Sequence, residues 1–209
     1  MKINRAAFNC INYGLFLIGA AGADKPEGCV VNSLHQITSS MPPKFSLTVN
    51  KSNETYKAIE ASGHFSALVL SKDTPKELLD VFGYKSGRVV NKYEGFEMGT
   101  DENGSPFVKG HGLARYAFKV TEKLDLGTYV LYIAQCTEAV VLSSGQALTL
   151  DDHRGKGNVT PPTATVVRSL DEVTSWKCTI CGYIAYKDEL PEGYKCPICK
   201  AGVDKFVKQ

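Results

Sequence analysis

Phe45-Ser46-Leu47-Thr48-Val49-Asn50 alternates its side chains with a period of two and runs directly into Lys51-Ser52-Asn53-Glu54-Thr55. The alternation predicts a strand with one face in a core. The polar run predicts a turn and then a short helix that carries Tyr56 and Ile59 inward and stops near Ser62-Gly63. A helix start leaves N–H groups unpaired and carries a partial positive charge, so it suits an anion. Lys51 adds a full charge there, and Ser52, Asn53 and Thr55 add short donors. Plain N-capping by Ser52 or Asn53 accounts for the same residue types. The local sequence leaves both readings open.

Outward from this segment, the first 150 or so residues read mainly as β-structure. Leu113-Ala114-Arg115-Tyr116-Ala117-Phe118-Lys119-Val120 alternates, with Ala114, Tyr116, Phe118 and Val120 on one face. Tyr129-Val130-Leu131-Tyr132-Ile133-Ala134 and Ala139-Val140-Val141-Leu142 are nearly continuous apolar runs, which suit strands buried on both sides. A second short helix is expected from Asp73-Thr74-Pro75 to Phe82-Gly83, with Leu78, Leu79 and Phe82 on its inner face. Antiparallel strands with few helices predict a mainly β fold, closed as a barrel. Lys2 and Arg5 ahead of Gly14-Leu15-Phe16-Leu17-Ile18-Gly19 have the outline of a secretory signal, but Asn9, Asn12 and Tyr13 interrupt it. The segment reads better as the first barrel strand. Nothing approaches the roughly 20 apolar residues of a membrane span.

The other end of the chain holds four cysteines in two tight pairs. Trp176-Lys177-Cys178-Thr179-Ile180-Cys181 and Tyr194-Lys195-Cys196-Pro197-Ile198-Cys199 share one pattern: aromatic, Lys, Cys, any residue, Ile, Cys. Two residues between cysteines let one turn present both sulfurs to one ion, with backbone N–H groups aimed at them. Two such turns make a tetrahedral site of four thiolates, which selects Zn²⁺ or iron. So short a module needs a metal staple in place of a sizeable core. Between the two parts, from about Asp151 to Ser169, the composition turns to Gly, Pro, Thr and charge. The expected division is therefore a barrel over 1–152, a linker over 153–172 and a metal-stapled module over 173–209.

With 24 basic and 22 acidic residues the chain has no basic field for nucleic acid. Seven cysteines, four of them in metal spacing, point to a reducing cytoplasm rather than a disulfide framework. Cys10, Cys29 and Cys136 read as buried core thiols. His35, His64, His111 and His153 are scattered and lack metal spacing; His111, between two glycines, stands out most.

Residues 8 to 145 resemble the flavin reductase-like FMN-binding split-barrel family. The likeness rests on Gly28-Cys29-Val30-Val31-Asn32-Ser33, on Pro42-Pro43 before a strand, on the polar turn at 50–55, and on Ser86-Gly87-Arg88 followed by Lys92-Tyr93. It implies a homodimer with one FMN per subunit. Asn32 and Ser33 would bond the flavin ring or ribityl chain, and Thr48 and Asn50 would line the same pocket. Lys51, Ser52, Asn53 and Thr55 would hold the phosphate, with Lys92 at the phosphate or ring edge. Many family reductases carry Gly-Asp-His near a late strand, where the histidine helps seat the nicotinamide. Here the matching stretch is Gly127-Thr128-Tyr129. That change touches direct use of NAD(P)H, not flavin binding.

The terminal module resembles rubredoxin, and more closely the abbreviated rubredoxin modules of rubrerythrin-like proteins. Cys178, Cys181, Cys196 and Cys199 match the ligands. Fourteen residues separate Cys181 from Cys196, so the long middle loop is missing, and Lys200 stands where Gly often follows the last cysteine. The order of split barrel, linker and rubredoxin resembles the high-molecular-weight rubredoxin family. The resemblance implies electrons passing from a nicotinamide through FMN to mononuclear iron and on to a redox partner such as a flavodiiron protein. Two other readings stay open: an FMN carrier reduced by another protein, and an FMN-binding barrel with a structural zinc ribbon.

Overall fold

The computed structural model describes residues 5–156, 160–161, 175–186 and 189–208. A 3₁₀ turn (Arg5–Cys10) leads into β1 (Phe16–Ala21), β2 (Pro26–Val31), β3 (Leu34–Gln36) and β4 (Lys44–Asn50). Helix α1 (Glu54–Ser62), β5 (His64–Leu70) and α2 (Lys76–Tyr84) follow, then the small ribbon β6 (Met98–Thr100) and β7 (Pro106–Val108). Two long strands, β8 (Gly112–Asp125) and β9 (Tyr129–Val141), and helix α3 (Leu150–Gly155) complete this part.

Seven strands form one antiparallel sheet in the order β2-β1-β5-β8-β9-β4-β3. Its two edges are consecutive pieces of one stretch of chain, broken only at Asn32-Ser33. Leu17 pairs with Val30 on one side of the break, and Leu34 pairs with Leu47 on the other. The chain itself therefore joins the edges, and the result is a split barrel. The Ser33 hydroxyl donates to the Thr48 carbonyl at 2.7 Å and pins the break onto β4.

Alternation sorts the side chains. Ile18, Leu47, Val49, Phe65, Phe118 and Tyr132 fill the barrel, with Ala58 and Ile59 of α1 packed into the same cluster. The opposite faces of β1 and β5 present Leu15, Leu17, Leu68 and Leu70 to Leu78, Leu79 and Phe82 of α2. The strand reading of the N-terminal apolar run thus holds: β1 lies between β2 and β5.

Three expectations change. The two apolar runs at 129–142 belong to one strand, β9, whose burial alternates through Val130, Tyr132, Ala134 and Cys136. A barrel wall has one interior face, and the outward Leu131 and Ile133 are only half-buried. Cys29 and Cys136 are core thiols, but Cys10, at the end of the 3₁₀ turn and outside the barrel, is exposed. The linker does not begin at Asp151 as irregular chain. Thr149 and Asp152 form a reciprocal capping box that starts α3. Leu150 is fully buried with the α2 cluster, and the buried His153 Nε2 lies 2.7 Å from the Tyr84 hydroxyl. The helix runs across the boundary expected at 152/153. Most of the linker expected over 153–172 lies outside the described residues.

The cysteine module has its own three-stranded sheet, β10 (Ser175–Cys178), β11 (Ile184–Tyr186) and β12 (Phe206–Lys208), in the order β11-β10-β12. Among the described residues, no helix is long and apolar enough to cross a membrane.

Burial of Leu150 makes α3 a part of the barrel. Leu150→Ala should lower the unfolding free energy of the intact chain by about 2–5 kcal/mol, the usual cost of emptying a core leucine site. A urea titration followed by circular dichroism measures it. A change below about 0.5 kcal/mol would mean that α3 is only laid on the surface.

Candidate functional site

The cysteine pairs form two equivalent knuckles. In the first, the Cys178 N–H donates to the Tyr183 carbonyl (2.8 Å) and the Gly182 N–H to the Cys178 carbonyl (2.9 Å). In the second, the Cys196 N–H donates to Ala201 (2.8 Å) and the Lys200 N–H to Cys196 (2.9 Å). Gly182 and Lys200 hold the same place, and both adopt positive φ, 74° and 61°. Only glycine does so without a steric cost.

The four sulfurs lie within 4.8 Å of one another, with Cys178 to Cys199 at 3.6 Å and Cys181 to Cys196 at 3.5 Å. A tetrahedral ion with bonds of about 2.3 Å needs sulfurs roughly 3.8 Å apart, so the site fits a four-thiolate ion. Burial pushes the Cys181 and Cys196 thiols up, while the N–H groups of Tyr183 and of Ile198 and Cys199 pull them back. An ion that takes thiolates must displace those protons, so metal affinity rises with pH. Tyr194 and Phe206 meet edge to face at 5.5 Å and pack with Tyr183 around the site.

The second site is a cavity of about 400 Å³ between β2, the start of α1 and the chain at 83–88. That volume is in the range of small-molecule pockets. Of the residues singled out in the sequence, Asn50, Ser52, Asn53, Thr55 and Lys92 line it. Asn50 Oδ1 accepts from the Ser52 N–H at 2.9 Å and shapes the turn. Asn53 occupies the N-cap position of α1, yet its side chain does not cap the helix. Its amide nitrogen is buried and has no hydrogen-bond partner. The capping explanation therefore fails for Asn53, and a polar ligand would satisfy the orphaned donor.

Asn32, Ser33, Thr48 and Lys51 are not brought to this cavity. Ser33 and Thr48 are joined at the barrel break. Lys51 turns to Asp125, 2.7 Å from both carboxylate oxygens. The positive charge on the cavity wall comes instead from Lys85, Arg88, Lys92 and Lys177; Arg88 bonds the Glu54 carboxylate and the Ser52 carbonyl (3.3 Å). Burial pushes the Glu54 carboxyl up, but hydrogen bonds from Arg88 and Lys57 outweigh it and hold it below the usual range. Lys92 lies deeper, its ammonium bonded to the carbonyls of Gly28 (2.9 Å) and Phe82 (3.3 Å), and burial pushes its pKa down. Burial likewise raises Glu27 and Cys29 on the same wall, against the pull of the nearby lysines.

Glu27 and Arg88 are given no role by the sequence, and Cys29 reads there as a core thiol, not as part of a cavity wall. Ser86-Gly87-Arg88 was the available signal. A Cβ on Gly87 would sit 2.1 Å from Glu27 Oε2, so this turn lies directly against the β2 carboxylate. His111, the histidine that stood out, does not line the cavity and gives its backbone carbonyl to Thr74.

The two modules meet beside this cavity. The Ser86 N–H donates to the Cys181 carbonyl at 3.4 Å, and the Tyr84 and Tyr183 rings lie 6.2 Å apart. Lys177 and Gly182 of the cysteine module complete the cavity wall.

The chain belongs to the flavin reductase-like domain family, whose pattern it matches over residues 8–159, and it is an oxidoreductase of that family. Residues 176–207 match the rubredoxin-like domain of rubrerythrin. The whole chain is similar to the high molecular weight rubredoxin of Moorella thermoacetica, at 35% identity over 96% of this chain and 97% of that protein. It is also 35% identical to the ferric-chelate reductase (NAD(P)H) of Archaeoglobus fulgidus, over 77% of this chain and 95% of that one. Among solved structures, flavoredoxin from Methanosarcina acetivorans shares the barrel fold, with a TM-score of 0.59 at 24% identity over 71% of this chain and 80% of its own.

Two substitutions probe the knuckles. Cys178→Ser should abolish the visible thiolate-to-metal absorption and leave less than one metal ion per chain by elemental analysis. Lys200→Gly should stabilise the metal-loaded module by about 1 kcal/mol, because it removes a left-handed side chain. Thermal denaturation followed at the metal absorption band reads that gain, and a loss of stability would reverse the backbone argument.

Proposed function

We propose that the chain binds FMN in the barrel cavity and passes electrons from NAD(P)H through it to a mononuclear iron held by Cys178, Cys181, Cys196 and Cys199. The single observation that carries this reading is the shared wall: a cavity lined by Lys85, Arg88, Lys92 and Lys177 borders the knuckle that carries two of the four sulfurs. Ser52, Asn53, Thr55 and Arg88 would hold the phosphate, with Asn50 shaping their turn. The buried, partnerless Asn53 amide supports this placement. A part for Asn32, Ser33 and Thr48 at the flavin ring rests on the family resemblance alone. A bound flavin accepts two electrons from a hydride donor and releases them singly, as a one-electron iron centre requires.

Iron rather than zinc is supported by the rubredoxin-like match and by the full-length likeness to a rubredoxin. Nicotinamide use is supported by the name of the archaeal relative. The proposal includes a homodimer: Val141 and Leu142 at the end of β9 leave apolar side chains 83% and 42% exposed, where a second copy could cover them. It also includes a redox protein of flavodiiron type as acceptor and a cytoplasmic setting. The division into barrel, linker and module, with α3 on the barrel side, is part of the same proposal.

A second reading has its own observation. Gly127-Thr128-Tyr129 belongs to a tight turn closed by the Leu126 N–H to the Tyr129 carbonyl and tied to the end of β4 by the Lys51 N–H to the Thr128 carbonyl, and it presents neither the aspartate nor the histidine of the related reductases. On that reading the chain is a flavin carrier reduced by another protein.

Anaerobic titration of the purified protein with NADH and with NADPH separates the readings. One nicotinamide should bleach the flavin band and then the red ferric band. Bleaching by dithionite alone would favour the carrier, and a colourless module that holds zinc would remove the electron path. Replacing Ser52, Asn53 and Thr55 together with Ala should weaken FMN binding at least tenfold. Unchanged affinity would return those residues to a purely structural role.

A further inference from the structure

We infer that Lys177, one residue before a metal ligand, is a binding residue of the barrel cavity, so that the cysteine module supplies part of the site for the phosphate-bearing cofactor. The inference rests on the FMN reading of the cavity and extends it to a residue that the barrel alone does not contain.

The cations around the cavity differ in what already holds them. Lys92 is committed to the Gly28 and Phe82 carbonyls. Arg88 is paired with Glu54. Among the described residues, no carboxylate or carbonyl pairs with the Lys177 ammonium, and none pairs with that of Lys85. These two uncommitted charges face the same cavity from opposite modules. An ammonium left unpaired beside a half-enclosed cavity is available to a charge-assisted bond with a phosphate oxygen, and such bonds are about twice as strong as neutral ones.

Lys177 is held in place by structure rather than by chance contact. It lies on β10, in register with Ile184 of β11 and Val207 of β12. Its neighbour Cys178 is fully buried and anchors the first knuckle. That knuckle bears on the barrel through the Ser86–Cys181 hydrogen bond. At Gly182 a Cβ would come within 3.0 Å of the Ser86 Cβ, so the two surfaces are in close contact at this point. The consequence is linkage: an anion that bridges Lys177 and the α1 turn favours the docked arrangement, and docking in turn raises affinity for the anion.

The test uses the full-length protein, stripped of flavin and loaded with iron. FMN and riboflavin, which lacks the phosphate, are titrated into wild type, Lys177→Gln and Lys177→Arg by flavin fluorescence quenching. Lys177→Gln should weaken FMN about tenfold and leave riboflavin unchanged, and Lys177→Arg should recover most of the loss. An unaltered iron spectrum in both variants shows that the module is intact. The Ser52, Asn53 and Thr55 triple Ala variant is titrated alongside. If the triple variant weakens FMN and Lys177→Gln does not, the inference is overturned while the cavity reading stands. If neither weakens FMN, the cavity reading falls first. Equal losses for FMN and riboflavin in Lys177→Gln would also overturn it, because the lysine would then not act through the phosphate.

Discussion

The break at Asn32-Ser33 is the constraint on which the barrel depends. One extended stretch must pair with β1 before the break and with β4 after it, and the sheet has no other way to bring its edges together. A slip of one residue on either side would turn a whole strand's core face outward. The Ser33–Thr48 hydrogen bond fixes the crossing point and therefore the register of both halves. That register sets Glu27 and Cys29 of β2 opposite the end of β4 and the start of α1, and the cavity occupies the gap between them. Asn32 and Ser33, read in the sequence as ligand contacts, have a structural task whatever else they touch.

The cysteine module is organised by a different force. Its sheet is three short strands, and its core is a few aromatic rings around four sulfurs. A core so small gains little from burial alone, so metal binding and folding are one event there. The barrel, with two apolar layers about its wall, has no such dependence. Two modules with different requirements for stability meet on a contact of backbone and aromatic rings.

Much of this was legible in the chain because the deciding signals are local. Both helices beside the barrel announce themselves, α1 by the polar turn at 51–53 and α2 by Asp73-Thr74-Pro75. The cysteine knuckles follow from spacing, and their sulfurs converge as the spacing requires. The misreadings share a cause: they turn on who the neighbour is. Leu131 and Ile133 are apolar but face outward, which a run of letters does not reveal. Lys51 looked like the phosphate charge because it stands in the turn, yet Asp125, 74 residues away, claims it. Arg88, on a loop that no local period marks, lines the cavity that Lys51 does not reach. The capping box at Thr149 and Asp152 was visible in principle, but the surrounding glycines and prolines masked it.

The end of α3 bears on how the terminal module behaves. Pro161 is buried and stands 3.6 Å from where a Cβ on Gly83 would be, one residue from the Tyr84 ring that meets Tyr183. The leash is thus stapled to the barrel close to the berth it serves. Fixing the chain this near the berth keeps the local concentration of the terminal module at the barrel far above that of a separate protein.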